Sequence, residues 1–315
     1  MSDFLGSNWK EEDILELINR KDIYEILFLA NTLRVKYKGN KIELCAIVNA
    51  KSGKCSEDCV FCAQSSRYKT DTPEYPLIEA ERILEKAVEA KNNKVKRFSI
   101  VISGKKPSKK ELIKISDSIE LLRKNEINVC ASLGLIKYDE ISYLKDKGLQ
   151  RLHCNIETSE RYFNKICSTH KFSDKVETIE SAKKAGLSVC SGGVFGMGES
   201  WSDRLDMAKF LKNSDVDSVP LNFLTPIKGT PLEGYMPLSP MEALKIISLF
   251  RIMLPDKEIR VCGGRPLLGD FTSWIFLAGA NALMTGNYLT TLGRDYKDDL
   301  DFIEKHELEV DYVVC

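Results

Sequence analysis

Eight short apolar segments, at about 42–48, 97–103, 127–133, 150–156, 187–194, 218–223, 258–263 and 280–285, recur along the chain, and the gaps between them are long enough for helices. Short apolar runs bounded by turn residues read as buried strands. The gaps carry helix signals of their own. Ser173 opens a run with Val176, Ile179 and Ala182 before Gly186, and Ser239-Pro240 opens another through Leu244, Ile247 and Phe250. Repeated strand–helix units require parallel strands, and eight of them closed on themselves leave no open edge. The pattern predicts an α/β fold, a (β/α)8 barrel of the TIM type; an open doubly wound sheet is the rival that alternation alone leaves standing. Upstream, Asn8 with Glu11 looks like a helix start, and Ile23, Ile26, Leu27, Ala30 and Leu33 follow a helical stripe. Residues 1–40 are therefore expected to form a helical extension, and 41–315 a barrel domain with a C-terminal tail.

Charge narrows the class of ligand. Lysine plus arginine equals aspartate plus glutamate at 46 each, so nothing favours nucleic acid or an anionic membrane as partner. No apolar run approaches the roughly 20 residues needed to cross a bilayer, and the start lacks the basic and apolar parts of a secretory signal. The expectation is a cytoplasmic protein acting on a small molecule. In that setting ten cysteines point first to metal or redox chemistry, with about half of them serving as small core residues.

Cys55-Ser-Glu-Asp-Cys59-Val-Phe-Cys62 sets three thiols within eight residues of the loop that follows the first strand. In a barrel of this kind, chemistry sits where strands end and loops begin. Three thiols on one loop can take three corners of a four-iron cube and leave the fourth iron open. Structural zinc is the competing reading. It wants four closed ligands, commonly from two separated pairs, and no histidine precedes His153.

The spacing C-x3-C-x2-C with Phe61 before the last cysteine resembles the signature of the radical S-adenosylmethionine (SAM) superfamily. The wider string Cys55 to Cys62 followed by Ala-Gln-Ser-Ser-Arg-Tyr68 is similar to the biotin synthase family. The likeness continues through Cys190-Ser-Gly-Gly193, Asn222, Lys228-Gly-Thr-Pro231, Arg260, Gly264-Arg265 and Gly279-Ala-Asn281, covering about residues 40 to 300. The resemblance implies a [4Fe-4S] cluster on Cys55, Cys59 and Cys62 that binds and reductively cleaves SAM, generating a 5′-deoxyadenosyl radical. It further implies conversion of dethiobiotin to biotin with sulfur from a second iron–sulfur cluster, an electron donor such as flavodoxin or ferredoxin, and a homodimer. Phe61 would lie against adenine. Asn155 and Glu157 would meet SAM, the carboxylate suiting ribose hydroxyls, and Asn155 and Asn222 the ureido ring of the substrate. His153 departs from the family, which usually has asparagine there.

The second cluster is where the pattern breaks. The family uses three barrel cysteines and an arginine; Cys130, Cys190 and Arg260 match, but Ser99 stands where the second-strand cysteine should be. Serine is a poor substitute for thiolate. Cys45 on the first strand and Cys262 on the seventh are candidates to compensate. Alternate strands share a layer inside such a barrel, so Cys45, Cys130, Cys190 and Cys262 are expected to surround one auxiliary cluster of four irons near Arg260. Cys154 should face the helices, and no role is assigned to it, to Cys167 or to Cys315. Gly196-Met-Gly198-Glu-Ser-Trp201 is expected to shape the edge of the SAM pocket. The alternatives are other radical SAM enzymes on a similar scaffold, of the hydrogenase-maturase or methylornithine-forming mutase type, and a non-catalytic metal-binding scaffold.

Overall fold

The computed structural model describes residues 11–20, 22–290 and 293–312; Asn8 and Cys315 lie outside them. Strands β1 (Lys41–Lys51), β2 (Arg97–Ile102), β3 (Val129–Ser132), β4 (Arg151–His153), β5 (Ser188–Cys190), β6 (Gly193–Phe195), β7 (Ser218–Phe223), β8 (Glu258–Val261) and β9 (Ala282–Met284) run parallel. The order is β1-β2-β3-β4-β5-β7-β8-β9, and β9 pairs back to β1 through Glu43–Ala282 and Leu44–Leu283. This closure removes the open-sheet rival. All eight expected strand positions are occupied, β5 and β6 being two halves of the fifth.

Period-two alternation sorts the side chains. On β1, Leu44, Ala46 and Val48 are buried in the core shared with the helices, while Cys45 and Ile47 line the interior. The fifth strand breaks where it must pass close to its neighbours. A Cβ on Gly193 would lie 2.1 Å from the Glu157 carbonyl oxygen.

The outer helices are α1 (Glu11–Asn19), α2 (Tyr24–Lys38), α3 (Ala80–Asn92), α4 (Lys109–Lys124), α5 (Tyr138–Asp146), α6 (Glu160–Phe163), α7 (Phe172–Lys184), α8 (Trp201–Asn213), α9 (Pro240–Met253), α10 (Trp274–Leu277) and α11 (Tyr296–Glu304). α9 starts where Ser239-Pro240 predicts, the Ser239 hydroxyl accepting the Glu242 N–H at 3.2 Å. The expected N-terminal stripe is two helices. α2 buries Ile26, Leu27, Leu29, Ala30 and Leu33 and packs mainly on α9. Cutting one such Leu or Ile to Ala costs about 2–5 kcal/mol.

Two expectations need correction. The gap after β8 holds no full helix, only a 3-10 segment over Arg265–Phe271 and the single turn α10. Pro266 and Gly269, the latter at φ 49° and ψ −127°, stop a regular helix from propagating. The tail also contributes a strand, β10 (Glu309–Val310), which pairs with the start of β1. No helix among the described residues is long and apolar enough to cross a membrane.

Candidate active site

The three-cysteine loop is held by its own backbone. Cys55 N–H donates to the Gln64 carbonyl (3.0 Å), Ser66 N–H to the Cys55 carbonyl (2.8 Å) and Cys62 N–H to the Cys59 carbonyl (2.9 Å). The Lys228-Gly-Thr-Pro segment braces the far end of the loop. Gly229, at φ +87°, comes so close that a Cβ would lie 1.9 Å from the Lys69 carbonyl oxygen. Cys55, Cys59 and Cys62 are all partly buried, and all line one cavity of about 400 Å³.

Cys45, Cys130, Cys190 and Cys262 line that same cavity. Alternation along β1, β3 and β5 turns the first three inward; Cys262 follows β8, its N–H still laddered to the Leu221 carbonyl at 3.0 Å. Ser99 lines the cavity too, beside Cys130 across the β2–β3 ladder. Burial pushes the Cys45 thiol up to about 12 against the nearby Arg260 charge. Burial likewise raises Cys130, Cys190 and Cys262, opposed in each case by arginines. Thiolates here need a cationic partner, and the surroundings supply guanidiniums and room for metal. The nine described cysteines are all free.

Below the thiols lies a buried charge network that the sequence reading missed. Arg151 donates to Glu258 through Nη1 (2.7 Å) and Nη2 (3.2 Å), while Arg260 Nη2 bonds both Glu43 and Glu258 (3.1 Å to the latter). Arg97 Nε and Lys96 Nζ each stand 3.5 Å from Glu43. Burial alone would raise the Glu258 carboxyl, but Arg151 and Arg260 hold it well below the usual range. Arg260 is near the cysteines as expected, with Nη2 committed to carboxylates and Nη1 facing the Glu43 and Leu283 carbonyls. Arg97, Arg151 and Glu258 each open a strand and Glu43 lies near the start of β1, and that shared position was the available signal.

Phe61, Asn155, Glu157 and Asn222 all line the same cavity as the two cysteine sets. Asn222 is pinned, its Nδ2 donating to the Gly193 carbonyl (3.1 Å) and its Oδ1 accepting from Gly263 N–H (3.0 Å). Asn155 Oδ1 accepts from Gly192 N–H at 3.0 Å. Glu157 Oε2 is buried with no hydrogen-bond partner, on a residue at φ +69°. Burial raises the Glu157 carboxyl, with Lys175 and His153 opposing. An unsatisfied buried carboxylate oxygen is costly and needs a donor. Lys175 on α7 is a cation that the sequence reading did not pick out; burial would lower it, but Cys154, Glu157, Cys59 and Cys167 around it hold it up. His153 is held down to about 4 by burial, a neutral imidazole with Nδ1 3.4 Å from Cys190 Sγ. Cys154 packs in the core, as expected. Gly196 to Trp201 do not line the cavity. They form the cap of α8, where Glu199 accepts from the Gly196 and Met197 N–H groups and pairs with Arg204.

Cys167 packs against the cysteine loop from the outside. Asp58 accepts the Ser168 (2.9 Å) and Thr169 (3.2 Å) N–H groups, and Val60 N–H donates to the Ile166 carbonyl (2.9 Å), clamping segment 166–170 to the loop.

The chain resembles known proteins over most of its length. Residues 50–211 match the radical SAM superfamily, and residues 220–309 the biotin and thiamin synthesis associated domain. The chain is 72% identical over 302 residues to the biotin synthase of Thermodesulfovibrio yellowstonii, covering 96% of each. It is 52% identical over 269 residues to that of Thermotoga neapolitana, covering 85% of this chain and 96% of the relative. Among solved structures it resembles methylornithine synthase, with TM-score 0.85, 22% identity and 98% and 95% of the two chains covered. It also resembles the FeFe-hydrogenase maturase of Carboxydothermus hydrogenoformans, with TM-score 0.83, 14% identity and 99% and 78% covered. At those identities the two structures share its fold.

Proposed function

The chain belongs to the biotin synthase family of radical SAM enzymes, and from that premise we propose how its own residues divide the conversion of dethiobiotin to biotin. The family carries a [4Fe-4S] cluster and SAM. In our reading Cys55, Cys59 and Cys62 hold that cluster, and Cys45, Cys130, Cys190 and Cys262 hold an auxiliary four-iron cluster. When bound, these groups supply the carbon-centred radical chemistry and the sulfur that enters the product.

The protein's own share is positioning. Glu157 accepts the ribose hydroxyls of SAM on its partnerless Oε2, and Phe61 covers the adenine. Asn155 and Asn222, each already tied to backbone on one side, present their remaining amide valences to the ureido ring. Fixing both reactants in one cavity turns hydrogen abstraction and sulfur capture into steps between preplaced groups. Arg97, Arg151 and Arg260 offset the charge of four thiolates, and Glu43 and Glu258 keep those arginines aligned.

The observation that carries this reading is that four thiols, on β1, β3 and β5 and just after β8, open into the cavity shared with the cysteine loop. With Ser99 in place of a thiol, Cys45, Cys130, Cys190 and Cys262 are the cavity-lining thiols outside the cysteine loop among the described residues. Residues 1–40 as an extension to a 41–315 barrel unit, a homodimer, a flavodoxin or ferredoxin donor and a cytoplasmic location complete the proposal; unpaired thiols among the described residues support the last, since oxidising compartments favour disulfides.

Anaerobic reconstitution with iron and sulfide quantitation and Mössbauer spectroscopy tests it. A Cys55/Cys59/Cys62→Ala triple variant should retain one cluster, and lose it when Cys45 and Cys262 are also replaced. A triple variant that binds no iron would sink the auxiliary cluster.

A further inference from the structure

Segment 166–170 brings a further thiol up to the cysteine loop. Cys167 Sγ stands 3.8 Å from Cys59 Sγ, and both thiols are free. The two differ in access. Cys59 is partly buried and lines the central cavity, whereas Cys167 is 4% exposed and does not line it. The Cys167 S–H donates to Asp58 Oδ1 at 3.2 Å, and Thr169 Oγ1 and His170 Nδ1 lie 3.5 Å and 3.2 Å from its sulfur. These contacts hold the buried sulfur beside Cys59.

The spacing suits a sulfur–sulfur bond. A disulfide is about 2.05 Å long and joins Cα atoms roughly 4–7 Å apart. Val60 N–H donates to the Ile166 carbonyl at 2.9 Å, so the peptide group after Cys59 is bonded directly to the one before Cys167. The two backbones already run side by side, and closing the sulfur gap takes side-chain rotation. Asp58 keeps the Ser168 and Thr169 N–H groups when the thiol proton leaves, so the clamp survives. An accessible thiol beside a buried one is the arrangement of an oxidant-sensing cysteine and its resolving partner.

We propose that Cys59 and Cys167 form a reversible disulfide in the cluster-free chain, Cys59 reacting first and Cys167 resolving it. Hydrogen peroxide oxidises the Cys59 thiol to a sulfenic acid and is itself reduced to water. The Cys167 sulfur then displaces the sulfenic oxygen, which leaves with the Cys167 proton as a second water. Two electrons pass from the thiols to peroxide, and a dithiol reductant returns them. The disulfide does not depend on what the loop binds. Its consequence rests on reading Cys55, Cys59 and Cys62 as the cluster ligands. A cluster on Cys59 excludes the disulfide, and the disulfide shields Cys59 from irreversible oxidation until a cluster is rebuilt.

The test treats the reduced, metal-free full-length chain with peroxide, alkylates the remaining thiols and maps the unreduced peptides by mass spectrometry. A peptide pair joined through Cys59 and Cys167 is expected as the main cross-link. Cys59 joined instead to Cys55 or Cys62, or oxidised while Cys167 stays alkylated, overturns the proposal. This arm needs no variant, so a poorly folding substitution leaves it intact. After peroxide and then dithiothreitol, alkylatable Cys59 should return almost fully in the parent and about fivefold less in Cys167→Ser and Cys167→Ala; equal return in all three overturns the shielding role. Glutathione disulfide, itself reduced to two glutathiones, replaces peroxide in the last arm. It should cross-link the metal-free chain, and much less the chain first loaded anaerobically with iron and sulfide. Cross-linking undiminished by loading overturns the cluster on Cys59 and leaves the disulfide standing, so the two readings fail separately.

Discussion

At the mouth of the barrel three thiols come from eight consecutive residues of one hydrogen-bonded loop, whereas deeper inside four thiols come from β1, β3 and β5 and just after β8, spread over most of the chain. The loop is polar and partly open, and its geometry is set by its own backbone bonds. The inner ring exists only because eight strands close in one register, and it rests on buried arginines and glutamates. The difference teaches that one chain can gather thiols by two routes. The first is local and tolerant of changes elsewhere; the second depends on the whole fold.

The largest effect should separate the two regions by activity. Cys59→Ala is expected to abolish both SAM cleavage and biotin formation, by about a thousandfold or more, roughly 4 kcal/mol of barrier. Cys262→Ala should abolish biotin formation to the same degree while keeping substantial SAM cleavage, measured as 5′-deoxyadenosine. Equal loss of cleavage in both variants breaks the comparison.

Stability sharpens it next. Removing one partner from a buried ion network leaves uncompensated charge and costs about 3–5 kcal/mol. Glu43→Gln, which removes the negative charge shared by Arg260, Arg97 and Lys96, is expected to lower the unfolding free energy by that much, measured by urea denaturation. Ser56→Ala in the loop should change it by less than about 1 kcal/mol. A third prediction concerns the space between the regions. Glu157→Gln loses a charge-assisted acceptor and should weaken SAM binding about tenfold to a hundredfold, measured by equilibrium binding, with little change in cluster content.

The smallest effect is a pH slope from His153. Burial lowers its folded value to about 4, below the unfolded value of about 6.5. Between those two the unfolded chain binds the extra proton, so the fold loses stability as pH falls from about 6.5 toward 4 and keeps it above 6.5. In the metal-free chain His153→Asn should flatten that part of the stability curve; an unchanged slope assigns it to other groups.

Much of this was legible in the chain. The spacing of apolar segments announced the barrel, and the cysteine loop could be read because its three thiols are neighbours in sequence. Of the inner thiols, Cys130 and Cys190 were legible through the family resemblance, and Cys45 and Cys262 through period-two alternation. Periodicity could not anticipate the missing helix after β8, where Pro266 and Gly269 outweigh gap length. Nor could it find Glu43, Arg97, Arg151 and Glu258 as a network, since charged residues that open strands more often face water.

The sequence by itself determined which residues face inward and which thiols travel together on one loop, because alternation and short spacing are properties of a few consecutive bonds. Only the tertiary structure decided that the two cysteine sets share one cavity, that Glu157 is left with a partnerless oxygen, and that Cys167 and His170 come within reach of Cys59. Those facts depend on strand stagger and loop docking between segments about a hundred residues apart. Contacts at that separation are fixed by packing the whole barrel, which no local pattern encodes.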